Sequence, residues 1–169
     1  MAKGSPELLL RYIRGIAETG AASAAWGMND GSIQLHGATG KYEVAHFRNH
    51  KHQVWCVALS ADGRKAGSAD HFATMVVWDR ATGRMLLEQA HCKGGPPAAL
   101  ALSPDSRVAA LAATTGIHLW DLESGRKLAD LPGQPRGVQA LAFPPNGQFL
   151  AAAGSDGSIT MWTASPADP

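Results

Sequence analysis

Apolar and polar residues alternate over short stretches along the chain, and these stretches recur with a fixed period. Ser32 to His36 (SIQLH), Thr74 to Trp78 (TMVVW), Gly116 to Trp120 (GIHLW) and Ser158 to Trp162 (SITMW) each read as a short strand. Their last residues, His36, Trp78, Trp120 and Trp162, follow one another at equal spacing, the mark of a repeated supersecondary unit. The first three strands run into polar turns with a late glycine: GATGK from Gly37, DRATGR from Asp79 and DLESGR from Asp121. Glycine there supplies the positive φ that a tight hairpin needs. A further strand is predicted after each turn, over Tyr42 to His46, Met85 to Gln89 and Lys127 to Leu131.

A second hairpin precedes each marker. The stretches from Val54 (VWCVALSADGRKAGS), Pro97 (PAALALSPDSRVAALAA) and Val138 (VQALAFPPNGQFLAAAG) each hold an apolar run, a turn and a second apolar run. Asp62-Gly63 and Asn146-Gly147 are strong hairpin signals. The first copy starts near Tyr12, with its turn at Glu18 to Gly20 and a strand at Ala21 to Trp26. Each period therefore holds four strands. A helical turn competes at Pro6 to Arg14, but a strand there completes the first repeat. Alanine is the commonest residue and there are 19 glycines, although both are poor strand formers. Small residues suit strands covered on both faces, and AASAAW, AALAA and LAAAG fall on the second strand of their units.

The four units resemble WD40 repeats. The residues that carry the resemblance are Trp78-Asp79, Trp120-Asp121, the turns Ser60 to Gly63 and Ser103 to Ser106, and the pairs Asp30-Gly31 and Asp156-Gly157. The resemblance implies an all-β chain, a β-propeller of the WD40 type with about four blades of four antiparallel strands in an incomplete ring. It makes residues 1–169 a single domain, with blades at approximately 8–48, 49–90, 91–133 and 134–163 and a tail at 164–169. It also implies a structural network in blade two made by His50, Ser68, Asp70 and Trp78. Asp70 lies eight residues before Trp78 where six is usual, which predicts two inserted residues near His71. The other blades depart from the pattern. Blade one has His36 for Trp, blade three has Thr114 and Thr115 where Asp is expected, and blade four has Pro135-Arg136-Gly137 without a histidine. Packing is expected to replace the network in these blades.

Composition narrows the function. The chain is 45% hydrophobic and 17% charged, against roughly 25% charged in an average soluble domain. A net charge of +1 supplies no long-range field to gather nucleic acid or an anionic membrane, so neither is expected as a partner. The first twenty residues lack a signal-peptide core, and no apolar run is long enough to span a bilayer. Two cysteines, Cys56 and Cys92, without a paired spacing suit a reducing, cytoplasmic setting.

Chemistry of the catalytic kind is not predicted. GATGK lacks the first glycine of a phosphate loop and has Tyr42 where Ser or Thr must hold magnesium. No GxSxG, HExxH or EF-hand pattern occurs, so the chain reads as a non-enzyme without a cofactor. His46, His50 and His52, echoed by His91 and Cys92, form the best metal candidate. However, His46 falls on an outer strand, His50 takes the structural histidine position and His52 a polar loop, so no metal is expected. Arg48, Lys51, His52, Arg64 and Lys65 cluster in sequence, but Lys51 and His52 precede the first strand whereas Arg64 and Lys65 follow its turn, at the opposite end of the blade.

Binding remains. The resemblance implies that the loops before the first strand and between the second and third strands meet at the channel mouth. In this chain these are His50 to Gln53 with Ala69 to Phe72, Cys92 to Pro96 with Thr114 and Thr115, and Gln134 to Gly137 with Ser155 and Asp156. Trp55 takes a variable position there, where Ala98 and Gln139 sit in its neighbours, and an exposed Trp beside basic residues has the composition of an interface anchor. The alternative is that Trp55 packs on the adjacent blade. The expected role is a non-catalytic scaffold that holds a protein or peptide through Trp55, Lys51, His52 and Arg136. The alternative function is a propeller segment of a larger signalling enzyme whose catalytic domain lies outside this chain. Blade four has TASPADP in place of a last strand, and its two prolines cannot donate ladder hydrogen bonds. A homo-oligomer, or completion of the ring by another chain, is therefore expected, with Glu7 to Leu10 as a source of the missing strand.

Overall fold

The computed structural model describes residues 13–19, 23–36, 45–48, 50–90, 95–134 and 137–163, with side chains described at 25–35 and in the ranges from 50 onward. The regular structure of these residues is all β, in four separate antiparallel sheets. The first holds β1 (Ile13–Thr19), β2 (Ser23–Met28), β3 (Ser32–His36) and β4 (Ala45–Arg48). The second holds β5 (Val54–Leu59), β6 (Lys65–Asp70), β7 (Met75–Asp79) and β8 (Met85–Gln89). The third holds β9 (Pro97–Leu102), β10 (Val108–Ala113), β11 (Gly116–Asp121) and β12 (Lys127–Pro132). The fourth holds β13 (Val138–Ala142), β14 (Phe149–Gly154) and β15 (Ile159–Thr163). Each sheet is a meander in chain order, as hairpin-rich sequence dictates. The predicted GATGK turn and residues Glu7 to Leu10 lie outside the described residues.

The innermost strands β1, β5, β9 and β13 pack one on the next, and no comparable packing joins the fourth sheet to the first among the described residues. Among the described residues the blades are thus joined in series, first to second, second to third and third to fourth. Three apolar layers lie between successive blades. Ala25, Ile33 and Leu35 meet Val57, Ala66, Val76 and Trp78 between the first two. Met75, Val77 and Ala69 meet Leu100, Leu111 and Trp120 between the second and third. Ile117, Ala110 and Ala112 meet Val138, Leu150 and Ala152 between the third and fourth, with Trp162 half-buried beside them. Alanine on the second strands lets sheets covered on both faces approach closely, and Ala109 through Ala113 are all buried.

The Trp-Asp pairs have a local cause. Asp79 accepts hydrogen bonds from the Thr82 amide (2.8 Å) and hydroxyl (2.7 Å), and Asp121 accepts from the Ser124 amide and hydroxyl, both at 2.6 Å. Each aspartate therefore closes the turn that follows its tryptophan strand. At the same end of the molecule, Lys65 Nζ donates to the Ser106 carbonyl of the next blade at 2.6 Å.

The predicted insertion near His71 is corrected. Ala69 pairs with Met75, Ala153 with Ile159 and Gly27 with Ile33, so the three connections have equal length. Phe72 stands where blades one and four carry Asp30 and Asp156. Ala73 follows with φ 58°, at the place where Gly31 and Gly157 take φ 82° and 81°. Gly31 has a further reason to be glycine, because a Cβ there would lie 2.4 Å from the His50 carbonyl oxygen. Asp70 acts from the end of β6, two positions earlier, and accepts from the amides of Phe72 (3.0 Å) and Thr74 (2.9 Å).

Candidate partner-binding face

Each innermost strand is bulged at the same place. The pairing skips Arg14 in β1, Trp55 in β5, Ala98 in β9 and Gln139 in β13. A bulge turns the extra residue away from the ladder and re-aims its side chain, which is why Trp55 is exposed between the buried Val54 and Cys56. Trp55 is 40% and Phe72 50% exposed. The Trp55 ring lies 4.9 Å from His71, His71 lies 5.1 Å from Phe72, and Phe72 lies 4.4 Å from His52. Four rings therefore make one continuous strip over the end of blade two, with exposed Lys51 next to His52 in the chain.

The structure brings two of the sequence candidates, Trp55 and His52, onto this strip. The ring contact of Trp55 is with His71 of its own blade. Arg136 lies outside the described residues. Sequence reasoning did not single out Phe72 or His71. The signal was available, since Phe72 precedes Trp78 by the same six positions that separate Asp30 from His36 and Asp156 from Trp162, so a large apolar residue occupies a turn position that calls for aspartate.

Beneath the strip, the structure brings His50, Ser68, Asp70 and Trp78 together. His50 Nε2 is hydrogen-bonded to Ser68 Oγ, and its ring stands edge-on to Trp78 at 5.9 Å and 79°. His50 Nδ1 lies 3.4 Å from Asp70 Oδ2; this is within ion-pair range but long for a hydrogen bond. Burial holds the His50 pKa below its usual value, and the opposing pull of Asp70 does not overcome it. A neutral imidazole fits the site, with Nε2 accepting the Ser68 hydroxyl and the Nδ1 proton turned toward Asp70. The strip is tied to this group through Asp70, whose carboxylate accepts from the Phe72 amide at 3.0 Å.

Blade four contains a polar network where packing alone was expected. Gln134 is buried; its Nε2 donates to Thr160 Oγ1 at 2.7 Å, and its Oε1 accepts from Ser158 Oγ at 3.1 Å. Gln134 follows His50 by two full periods of the repeat, so an amide takes the place of the imidazole. In blade three, His118 Nδ1 meets Asp130 Oδ1 at 2.5 Å, and Lys127 pairs with the same carboxylate. These two partners, Lys127 first, hold the Asp130 carboxyl below its usual range.

A groove of about 670 Å³ opens between blades three and four, walled by Leu119, Leu128, Leu131, Phe143, Phe149 and Trp162, with Asp105 its one titratable side chain. Cys56 is buried and its thiol is pushed up to about 12 by desolvation, so it is protonated at neutral pH and is no nucleophile. Among the described residues, no three His, Cys, Asp or Glu side chains are placed to hold a metal ion. Of the metal candidates, His50 is buried in its network, His52 lies on the aromatic strip, and His91 and Cys92 fall outside the described residues. No described helix is long and apolar enough to cross a membrane.

Comparison with known proteins gives the same frame. The family profile described as WD domain, G-beta repeat, matches residues 41–79 and 125–163. Centriole proteome protein 16 of Chlamydomonas reinhardtii is 27% identical over 162 residues, covering 89% of this chain and 7% of that protein. Small ribosomal subunit protein RACK1y of Oryza sativa subsp. japonica is 27% identical over 150 residues, covering 85% of this chain and 43% of that protein. The chain thus spans less than half the length of either relative. The crystal structure of the computationally designed Ika4 protein superposes with a TM-score of 0.73 at 24% identity, over 90% of this chain and 91% of that one, and so has the same fold. Four meandering sheets, turns closed by the aspartate of Trp-Asp pairs, and two matches to the repeat profile make one conclusion: the chain carries WD40 repeats, at residues 41–79 and 125–163.

Proposed function

We propose that the chain is a non-catalytic scaffold that binds a protein or peptide across the channel-mouth end of blade two. Trp55 is the anchor, His71, Phe72 and His52 form the platform with Lys51 next to His52 in the chain, and Arg136 is the further basic contact suggested by the sequence. One observation carries this reading: a continuous strip of four rings stands at a place where the equivalent positions elsewhere are small or polar, Ala98 and Gln139 at the bulge and Asp30 and Asp156 at the turn. Exposed aromatic side chains that lose little entropy on binding make effective interface anchors. The names of the two relatives place them among the components of larger assemblies, a centriole and a ribosomal subunit, which agrees with a scaffold role.

The test is affinity capture with the immobilised chain, followed by titration of the captured partner against the wild type and the variants Trp55→Ala, Phe72→Ala and Arg136→Ala. Truncating an anchor costs at least about 2 kcal/mol, roughly a thirtyfold loss of affinity. Unchanged affinity for both Trp55→Ala and Phe72→Ala would remove the strip from the interface.

A further inference from the structure

We propose that the groove between blades three and four is a second peptide site, one that takes an aliphatic side chain and a neighbouring basic side chain of a partner segment. The preceding junction, between blades two and three, follows the same plan and is closed, so equivalent residues show what the groove lacks. Leu87 pairs with Val77 in blade two, and Ala129 pairs with Leu119 at the same place in blade three. Leu87 is 7% exposed and packs in one apolar layer with Trp120 of the next blade. Ala129 lacks the branched end of that side chain, and it lines the groove together with Trp162, the equivalent of Trp120. Trp162 is half-buried, whereas Trp120 is 3% exposed.

Two polar closures of the preceding junction are also missing. There, Lys65 Nζ donates to the Ser106 carbonyl at 2.6 Å and Ser106 Oγ donates to Asp62 Oδ1 at 3.3 Å, both across the gap between blades. Val108 stands where Lys65 does, since Val108 pairs with Asp121 as Lys65 pairs with Asp79. Gly147 stands where Ser106 does, at the left-handed position of its turn, with φ 67° against 60°. Neither has a polar side-chain group to send across. Asp105 accepts from Ser103 Oγ at 2.5 Å and from the Arg107 amide at 3.1 Å, as Asp62 accepts from Ser60 Oγ and the Arg64 amide. Among the described residues, Asp105 has no counterpart of the bond that Asp62 receives from the next blade.

The space that results is about 670 Å³, and every residue that lines it is described. Ligand sites commonly fall at about 300–1,000 Å³. The neighbouring junction specifies the occupant: an aliphatic group to take the part of Leu87, and a positively charged donor to take the part of Lys65, with Asp105 complementary to it in charge. A peptide segment that holds leucine or isoleucine near lysine or arginine carries both. Its aliphatic group supplies affinity by leaving water for the walls of Phe143, Phe149 and Trp162, and its charge sets the orientation. The groove reaches the β9–β10 and β13–β14 turns, at the opposite end of the blades from the aromatic strip, so this site does not depend on that one.

Selection of a random peptide library on the immobilised whole chain tests the proposal. The variant Ala129→Leu restores the side chain that Leu87 supplies, and serves to remove peptides that bind elsewhere. Its melting temperature is expected to equal or exceed that of the wild type, because the new side chain fills space. Should it fail to fold, Val108→Lys, which restores the ammonium group of Lys65, takes its place. Peptides that bind the wild type and not the filled variant are expected to hold an aliphatic and a basic residue close together. Fluorescence anisotropy of one such labelled peptide is expected to show at least about a tenfold loss of affinity for Val108→Lys and no change for Trp55→Ala. A library that yields no such peptide, or peptides that lose their affinity with Trp55→Ala, would overturn the proposal. Binding of anilinonaphthalene sulfonate that Ala129→Leu abolishes, with no peptide selected, would assign the groove to a small apolar molecule and overturn it equally.

Discussion

Replacing Trp78 by alanine should destabilise the chain far more than the same change at Trp55, and the structure sets the ratio. Trp78 is 1% exposed and belongs to the apolar layer between blades one and two, with His50 edge-on to its ring. An indole buries about 200 Å² of largely apolar surface, which at about 25 cal/mol per Å² is worth about 5 kcal/mol. Mutational losses for buried aromatic residues run at about 3–5 kcal/mol. Trp55 is 40% exposed and its ring contact, His71, belongs to the same surface strip, so its truncation should cost about 1–2 kcal/mol. For a chain of this size, 1 kcal/mol moves the melting temperature by about 2–4 °C. The expected shifts are therefore at least about 6 °C for Trp78→Ala and a few degrees for Trp55→Ala. Thermal unfolding followed by circular dichroism, at one fixed protein concentration because association shifts the midpoint, gives both values. Equal losses would place Trp55 in the core and refute the reasoning that makes it an anchor.

Two further outcomes test the polar networks. Because burial holds the His50 pKa below its unfolded value, the unfolded chain binds a proton that the folded chain resists; stability should fall as pH drops below about 6.5. Urea midpoints compared between neutral and mildly acidic pH should show this slope, and His50→Gln should remove it. In blade four, Gln134→Ala removes the donor to the Thr160 hydroxyl, while Ser158 keeps its bond to Asp156; a cost of about 1–3 kcal/mol is expected, whereas a midpoint equal to wild type would mean that water replaces the amide freely.

The fold was legible in the sequence because each level of the pattern points the same way. The even spacing of the repeat, the alternation within strands and the glycine turns between them are all local or periodic features, and local features survive without tertiary information. The Trp-Asp pairs could be recognised because the aspartate acts on residues three positions away. His50, Ser68, Asp70 and Trp78 could be grouped by resemblance before any distance was known.

Tertiary structure decided what the period alone leaves open. The bulges that turn Trp55 and Gln139 out of their ladders depend on pairing register, which belongs to two strands at once and is not written in either. The equal length of the β6–β7 connection replaced a predicted insertion with a substitution, Phe72 for aspartate, and thereby completed the aromatic strip. Gln134 joined a network because Thr160, far along the chain, faces it across the blade; as a single residue it has no local signal. The exposure of Ile159 and Met161 follows from the absence of comparable packing between the fourth blade and the first among the described residues. In sequence these residues match their buried equivalents, because the apolar pattern of a strand records which face is to be covered, and only the arrangement of whole blades shows what covers it.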